Sequence, residues 1–166
     1  RVLKAGRTRG YEIPTLDEVL AVCCGRISID VELKEPGYED EVIAAVLRKF
    51  DPRHAMFKSF RECSVKKLTS HEPSLFAGLL LGYKIDLSKG SGLKRKISPL
   101  VRARKTGARF VSPHWRLIRR GFIDRMHEAD LPVFAWTVND LRVARRLIRR
   151  GGDGIITNVP DKMPRE

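Results

Sequence analysis

Asp30, Glu32 and Lys34, each two residues from the next, are the first candidates for chemistry in this chain. They lie in Ile27-Ser28-Ile29-Asp30-Val31-Glu32-Leu33-Lys34, where apolar and polar residues alternate without a break. That is the two-residue period of a β-strand, so Ile27, Ile29, Val31 and Leu33 share one face. Ser28, Asp30, Glu32 and Lys34 share the other. Two acids and an amine on one face have two readings. One is the solvated side of an amphipathic strand carrying an ion pair, and the other is a polar wall that looks into an active site. The four histidines, His54, His71, His114 and His127, lie in unrelated contexts. His114 follows a candidate strand and could reach the same mouth, and we read it as a surface or locally hydrogen-bonded side chain. Cys23 and Cys24 are adjacent and Cys63 stands alone, which fits neither a disulfide framework nor paired metal-ligand spacing.

The elements that would position these residues follow from periodicity. Thr15 and Glu18 form a capping box ahead of a helix with the stripe Leu16, Val19, Leu20 and Cys23, closed by Gly25. After the opening strand, Glu35-Pro36-Gly37 breaks the pattern, and residues 38–50 are helical with Val42, Ile43, Val46, Leu47 and Phe50 on one face. A strand over His54–Ser59 leads to a helix over Glu62–Ser70, and the apolar run Ser74–Leu81 reads as a strand buried on both sides. Residues 84–106 are basic, with Lys89, Lys94, Arg95, Lys96, Arg102, Arg104 and Lys105, and Ser98-Pro99 starts a helix within them. A strand over Ala108–Ser112 precedes Pro113-His114-Trp115 and an amphipathic helix with Leu117, Ile118, Phe122, Ile123 and Met126. Pro132–Val138 is the fifth strand. The next helix is capped by Asn139 or Asp140, buries Leu141, Ala144, Leu147 and Ile148, and turns Arg142, Arg145, Arg146, Arg149 and Arg150 to solvent. Gly154–Thr157 is the sixth strand.

Six strands alternating with helices call for an α/β fold with parallel pairing and right-handed crossovers. No Gly-rich phosphate loop follows an early strand, so a TIM-type (β/α) barrel fits better than a doubly wound open sheet. A full barrel takes about 250 residues, and 166 residues with six units leave it two short of closure. One domain spanning 1–166 is expected. With 42% hydrophobic and 32% charged residues the composition is that of a soluble globular chain. No apolar run is long enough for a membrane span, and the residues after Arg1 lack the apolar core of a secretory signal. A reduced, cytoplasmic chain is the expectation. The net charge of +13 can attract nucleic acid, anionic lipid surfaces or phosphorylated substrates. Aromatic residues are only 7% and are not interleaved with the basic cluster, which argues against nucleic acid.

Several segments taken together are more specific. Ile13-Pro14-Thr15-Leu16-Asp17-Glu18-Val19-Leu20, Val31-Glu32-Leu33-Lys34, Ser59-Phe60, Phe134-Ala135-Trp136-Thr137-Val138-Asn139-Asp140 and Asp153-Gly154-Ile155-Ile156-Thr157-Asn158-Val159-Pro160-Asp161 follow one another in an order and spacing that resembles the glycerophosphodiester phosphodiesterase family. By that resemblance the six strands correspond to the third to eighth of the barrel, with the first two absent. The family's His-Arg-Gly loop, Glu-x-Asp pair and His-Asp dipeptide, which bring the catalytic histidines and most metal ligands, have no counterpart here. The resemblance makes Glu32 a ligand of a divalent metal, Mg²⁺ or Ca²⁺, Lys34 a phosphate contact and Trp136 the aromatic residue beside the glycerol end of the substrate. Asp30, deeper in the strand, is read as structural, and no catalytic residue is assigned within the chain.

The expected function is metal-dependent hydrolysis of glycerophosphodiesters to glycerol 3-phosphate and an alcohol, with this chain inactive alone. Two alternatives stand beside it. The first is a non-catalytic module whose basic 84–106 segment and N-terminal arm hold anionic phospholipid headgroups or nucleic acid, and the second is a phospholipid-cleaving phosphodiesterase of similar barrel shape. An open six-stranded sheet has two unpaired edges, so self-association through them is expected. The Arg-rich face over 142–150 is read as solvated surface.

Overall fold

The computed structural model describes residues 13–82 and 98–164. The basic positions Arg1, Lys4, Arg7, Arg9, Lys89, Lys94, Arg95 and Lys96 lie outside the described residues. The elements in chain order are α1 (Leu16–Cys23), β1 (Ile29–Leu33), α2 (Glu39–Leu47), β2 (Ala55–Ser59), α3 (Glu62–His71), β3 (Phe76–Leu81), α4 (Pro99–Thr106), β4 (Phe110–Pro113), α5 (Phe122–His127), β5 (Phe134–Ala135), α6 (Leu141–Arg149) and β6 (Gly154–Ile155). Local chemistry sets the starts of two helices. Thr15 and Glu18 close the capping box on α1, and the Asp140 carboxylate accepts the Arg142 and Val143 N–H groups at the head of α6.

All pairings are parallel. β1, β2, β3 and β4 form one ladder, with Glu32 opposite Lys58, Lys58 opposite Gly78, and Gly78 opposite Phe110. β5 and β6 pair with each other, and the bridges Val111–Val133 and His114–Trp136 join β5 to β4. The six strands therefore stand in sequence order as one curved sheet. Among the described residues nothing pairs with the outer side of β1 or of β6, so the sheet is not closed.

The sheet has two buried faces of different character. On the outside, Leu33 packs with Leu20, Ile43, Val46 and Phe50, while Leu79, Leu81 and Val111 pack with Ala103, Phe122, Met126 and Leu147. This places Ile29, Val31 and Leu33 toward the helices, as the alternation requires. On the inside, Phe110 lies between Phe76 and Phe134 with ring centroids 4.7 and 5.2 Å away. Glycine makes room for this fan. A Cβ on Gly78 would stand 2.3 Å from the Phe110 ring and one on Gly154 2.5 Å from the Phe134 ring, closer than real Cβ contacts come.

The structure shortens several expected elements. Ile27 and Ser28 precede β1, and Ile27 is 62% exposed because nothing covers the sheet at that edge among the described residues. His54 belongs to a 3₁₀ turn, Pro52–His54, where Asp51 accepts the Arg53 N–H. The single amphipathic helix expected after Trp115 is instead a 3₁₀ turn, Trp115–Leu117, followed by α5. The His114 side chain caps the turn, and Gly121 at φ 71° resets the chain before Phe122, a backbone conformation that sequence periodicity does not reveal. The Phe–Gly packing carries a test. Gly78→Ala should lower stability by about 1–3 kcal/mol through overpacking against Phe110, measured by urea unfolding. An unchanged midpoint would mean that the rings are not packed as described.

Candidate functional site

Barrel chemistry gathers where parallel strands end, and here the C-terminal ends of β1, β2, β4 and β5 hold the polar and aromatic groups. The backbone beneath them is pinned first. Ser59, fully buried, donates its hydroxyl to Leu33 O at 2.7 Å and accepts the Arg61 N–H at 3.0 Å, which fastens the ends of β1 and β2 together. The Tyr38 hydroxyl accepts the N–H groups of Lys34 and Glu35, both at 3.1 Å, and so fixes the turn that leaves β1. Neither Ser59 nor Tyr38 was singled out for this work by the sequence pattern, although Ser59 lies in a signature segment.

Glu32 and Lys34 come together as an ion pair, Lys34 Nζ standing 2.7 Å from Glu32 Oε1. The pair is asymmetric. The Lys34 side chain is mostly exposed, whereas Glu32 Oε1 is buried and, without hydrogen-bond alignment to the ammonium, has no hydrogen-bond partner. One layer deeper Lys58, only 6% exposed, forms an ion pair with Asp30. Asp30 is thus engaged by a lysine from the neighbouring strand, and Lys58 is the group that sequence reasoning missed. Its position was legible: in Ala55-Met56-Phe57-Lys58-Ser59 the alternation puts Lys58 on the same inner face as Glu32. The inner wall of β1 and β2 therefore carries two carboxylates and two amines.

Trp136 lies across the mouth, with its ring 5.5 Å from Phe60 and 5.2 Å from His114, edge to face with both. Its indole N–H donates to Ser112 O at 2.7 Å, which ties the ring to the barrel wall. His114 stacks on Trp115 at 5.9 Å, and its Nδ1 accepts the Arg116 N–H at 3.2 Å, the local hydrogen bond expected of it. Burial, and to a lesser degree the Arg116 charge, holds His114 below the ordinary imidazole value, so the ring is neutral at pH 7. Behind Trp136 the signature residues brace the rim: Asn139 Oδ1 accepts from Thr157 Oγ1 and from the Asn158 N–H at 3.2 and 2.9 Å. The other histidines are engaged elsewhere, His54 with Ser28, His71 with Asp40 and His127 with Asp153.

The chemistry this arrangement supports is anion contact by an exposed ammonium beside a buried carboxylate oxygen, under an aromatic rim. Among the described residues no group of three or more His, Cys, Asp or Glu side chains is placed to hold a metal ion. Ca²⁺ takes about six to eight oxygens, more than the single carboxylate of Glu32 supplies. No helix among the described residues is long and apolar enough to cross a membrane.

A model described as the glycerophosphoryl diester phosphodiesterase family matches residues 2–162. The chain is 26% identical over 160 residues to a glycerophosphodiester phosphodiesterase of Caldanaerobacter subterraneus, covering 93% of this chain and 61% of that protein. Among solved structures, a glycerophosphodiester phosphodiesterase from Agrobacterium tumefaciens superposes with a TM-score of 0.70 at 24% identity, over 92% of this chain and 61% of the other. A phosphodiesterase from Oleispira antarctica, solved with the product sn-glycerol-3-phosphate, matches with a TM-score of 0.70 at 23% identity, over 92% of this chain and 60% of that one. The chain thus spans about three-fifths of the length of these proteins.

Two outcomes test the site geometry. Lys58→Met leaves Asp30 without its counter-ion and should cost about 1–3 kcal/mol, below the 3–5 of a fully buried pair because Asp30 is partly exposed. The double variant with Asp30→Asn should recover part of that loss, and additive losses in the unfolding cycle would deny the pair. His114 supplies a pH dependence. Above about pH 6.5 the ring is neutral in folded and unfolded chains alike; below it the unfolded chain takes the proton first, so stability falls as pH drops toward the lowered folded value. His114→Gln should remove that slope, as read by urea midpoints across about pH 5 to 8.

Proposed function

The chain belongs to the glycerophosphoryl diester phosphodiesterase family, and from that membership we propose that it forms part of a barrel that hydrolyses glycerophosphodiesters to glycerol 3-phosphate and an alcohol with the help of a divalent cation. The observation that carries this reading is the Glu32–Lys34 pair at the end of β1, a buried carboxylate oxygen without a hydrogen-bond partner beside an exposed ammonium. Glu32 would contribute one carboxylate ligand to Mg²⁺ or Ca²⁺. Such a cation, when bound, neutralises charge on phosphoryl oxygens.

The roles of the chain's own residues follow from their settings. Lys34 leaves Glu32 and meets a phosphate oxygen, a small displacement for a side chain whose backbone is fixed by Tyr38. Trp136 offers the apolar edge of its ring to the glycerol carbons while Ser112 holds its N–H. Core packing with Phe60 and His114 is compatible with that role, because a ring must be held to serve as a wall. Proton transfer has no pair of histidines here: His54, His71 and His127 are held by Ser28, Asp40 and Asp153, and His114 at the mouth accepts the Arg116 N–H. The chain by itself is therefore proposed to bind the phosphate product and not to turn over substrate. Self-association through the outer sides of β1 and β6 belongs to the same reading, since each is an unpaired edge among the described residues.

Calorimetric titration with sn-glycerol-3-phosphate, with and without Mg²⁺ or Ca²⁺, tests these assignments. Lys34→Ala should weaken phosphate binding about tenfold, as expected for loss of a charge-assisted contact of about 1.4 kcal/mol. Glu32→Gln should abolish the dependence on the cation. Unchanged binding in both variants, or hydrolysis of glycerophosphocholine by this chain without a metal, would overturn them.

A further inference from the structure

Helix α6 presents Arg142, Arg145, Arg146 and Arg149 to solvent, with Arg150 immediately after it, and all five are exposed. The opposite face is docked on the barrel through Ala144 and Leu147. Among the described residues none of the five arginines is in an ion pair. The acid at the helix head, Asp140, has its carboxylate held by the Arg142 and Val143 backbone N–H groups, and the Arg142 and Arg146 charges add a weaker attraction. Arginines at 142 and 145, 142 and 146, 145 and 149, 146 and 149, and 146 and 150 are neighbours on the helix surface, and each such like-charge pair is unfavourable. Ile148, 42% exposed, stands next to Arg149 and one turn from Arg145. A solvated surface needs neither five arginines on one helical face nor an exposed isoleucine at its margin.

We propose that the α6 face is a docking surface for anionic phospholipid bilayers, with the arginines on the headgroups and Ile148 at the acyl boundary. Short helices with four to eight bases on one side and an apolar residue at the margin suit the charged surface of a bilayer. Single-stranded nucleic acid is less suited, because the helix has no aromatic side chain on which a base could stack. The surface is separate from Glu32, Lys34 and Trp136. It lies on the outer wall of the sheet, whereas they line the inner side and the mouth, so it stands whether or not the proposed hydrolysis does.

The test is co-sedimentation of this chain with vesicles of phosphatidylglycerol and phosphatidylcholine, against vesicles of phosphatidylcholine alone. Binding should require the anionic lipid and fall with salt. Each arginine contributes roughly fivefold to partition, the equivalent of about 1 kcal/mol, so Arg142→Glu, Arg145→Glu, Arg146→Glu and Arg149→Glu combined should reduce it several-hundredfold. A second quadruple variant, Lys49→Glu, Lys66→Glu, Lys105→Glu and Arg109→Glu, changes exposed bases elsewhere by the same net charge and should retain most of the binding. Both variants are checked for folding by circular dichroism, and Ile148→Ser should weaken binding without altering net charge. Equal losses in the two quadruple variants would assign binding to overall charge and overturn the proposal. So would wild-type chain that stays in the supernatant, or that leaves the vesicles for duplex DNA at equal phosphate.

Discussion

The contact between buried Lys58 and partly exposed Asp30 is the constraint on which the mouth of this sheet depends. Removing the Lys58 ammonium from water is unfavourable, and it is tolerated inside a protein only when a counter-ion meets it with good geometry. Here the partners come from adjacent strands, so the requirement fixes the inner faces of β1 and β2 against one another. Glu32 then has a set place one step nearer the mouth, opposite Lys58 in the register and beside Lys34. With Lys58 committed to the deeper acid, the carboxylate at the mouth is left to the exposed amine of Lys34. The pair at the mouth is thus defined by a pair beneath it.

Much of this was legible in the sequence because strand alternation reports faces without ambiguity. Ile29, Val31 and Leu33 pack on the helices and Asp30 and Glu32 point inward, as a two-residue period requires. The order of six strand–helix units was legible for a related reason: the apolar stripes of α1, α2 and α6 repeat at helical spacing, and Thr15 and Asp140 mark two starts. Less was legible where backbone dihedrals or tertiary contacts decide. Gly121 interrupts a helix that the stripe Leu117, Ile118, Phe122 would continue, and the His114 cap on the preceding turn depends on its neighbours in space. The work of Tyr38 and Ser59 could not be foreseen, since a hydroxyl does not announce which backbone groups it will meet. Trp136 shows the limit most clearly. Its segment resembles a family signature, yet its contacts with Phe60, His114 and Ser112 O serve packing as directly as they would serve a ligand.

The inner and outer faces of the sheet are stabilised by different means. The outer face relies on aliphatic side chains between strands and helices, while the inner face is filled by three phenylalanine rings that need glycine at Gly78 and Gly154. Rings placed low in the interior leave the upper layer to polar and edge-on aromatic groups. The same division runs through the charge distribution. Acids and bases inside the sheet are matched, whereas the surplus of basic residues that gives the chain its charge of +13 includes the unmatched arginines of α6.

The Tyr38 hydroxyl, with both of its acceptor positions occupied by consecutive backbone N–H groups, leaves Lys34 a residue of two regimes. Its main chain has already given up its conformational freedom on folding, while its four-carbon side chain is exposed and held only by the ion pair with Glu32. Capturing an anion there would order only torsions beyond Cα, a cost of at most about 2 kcal/mol, and none of the 1–2 kcal/mol that fixing a loop residue's backbone would add. A phenol four residues along the chain from the ammonium therefore lowers the ordering cost of whatever that ammonium would hold.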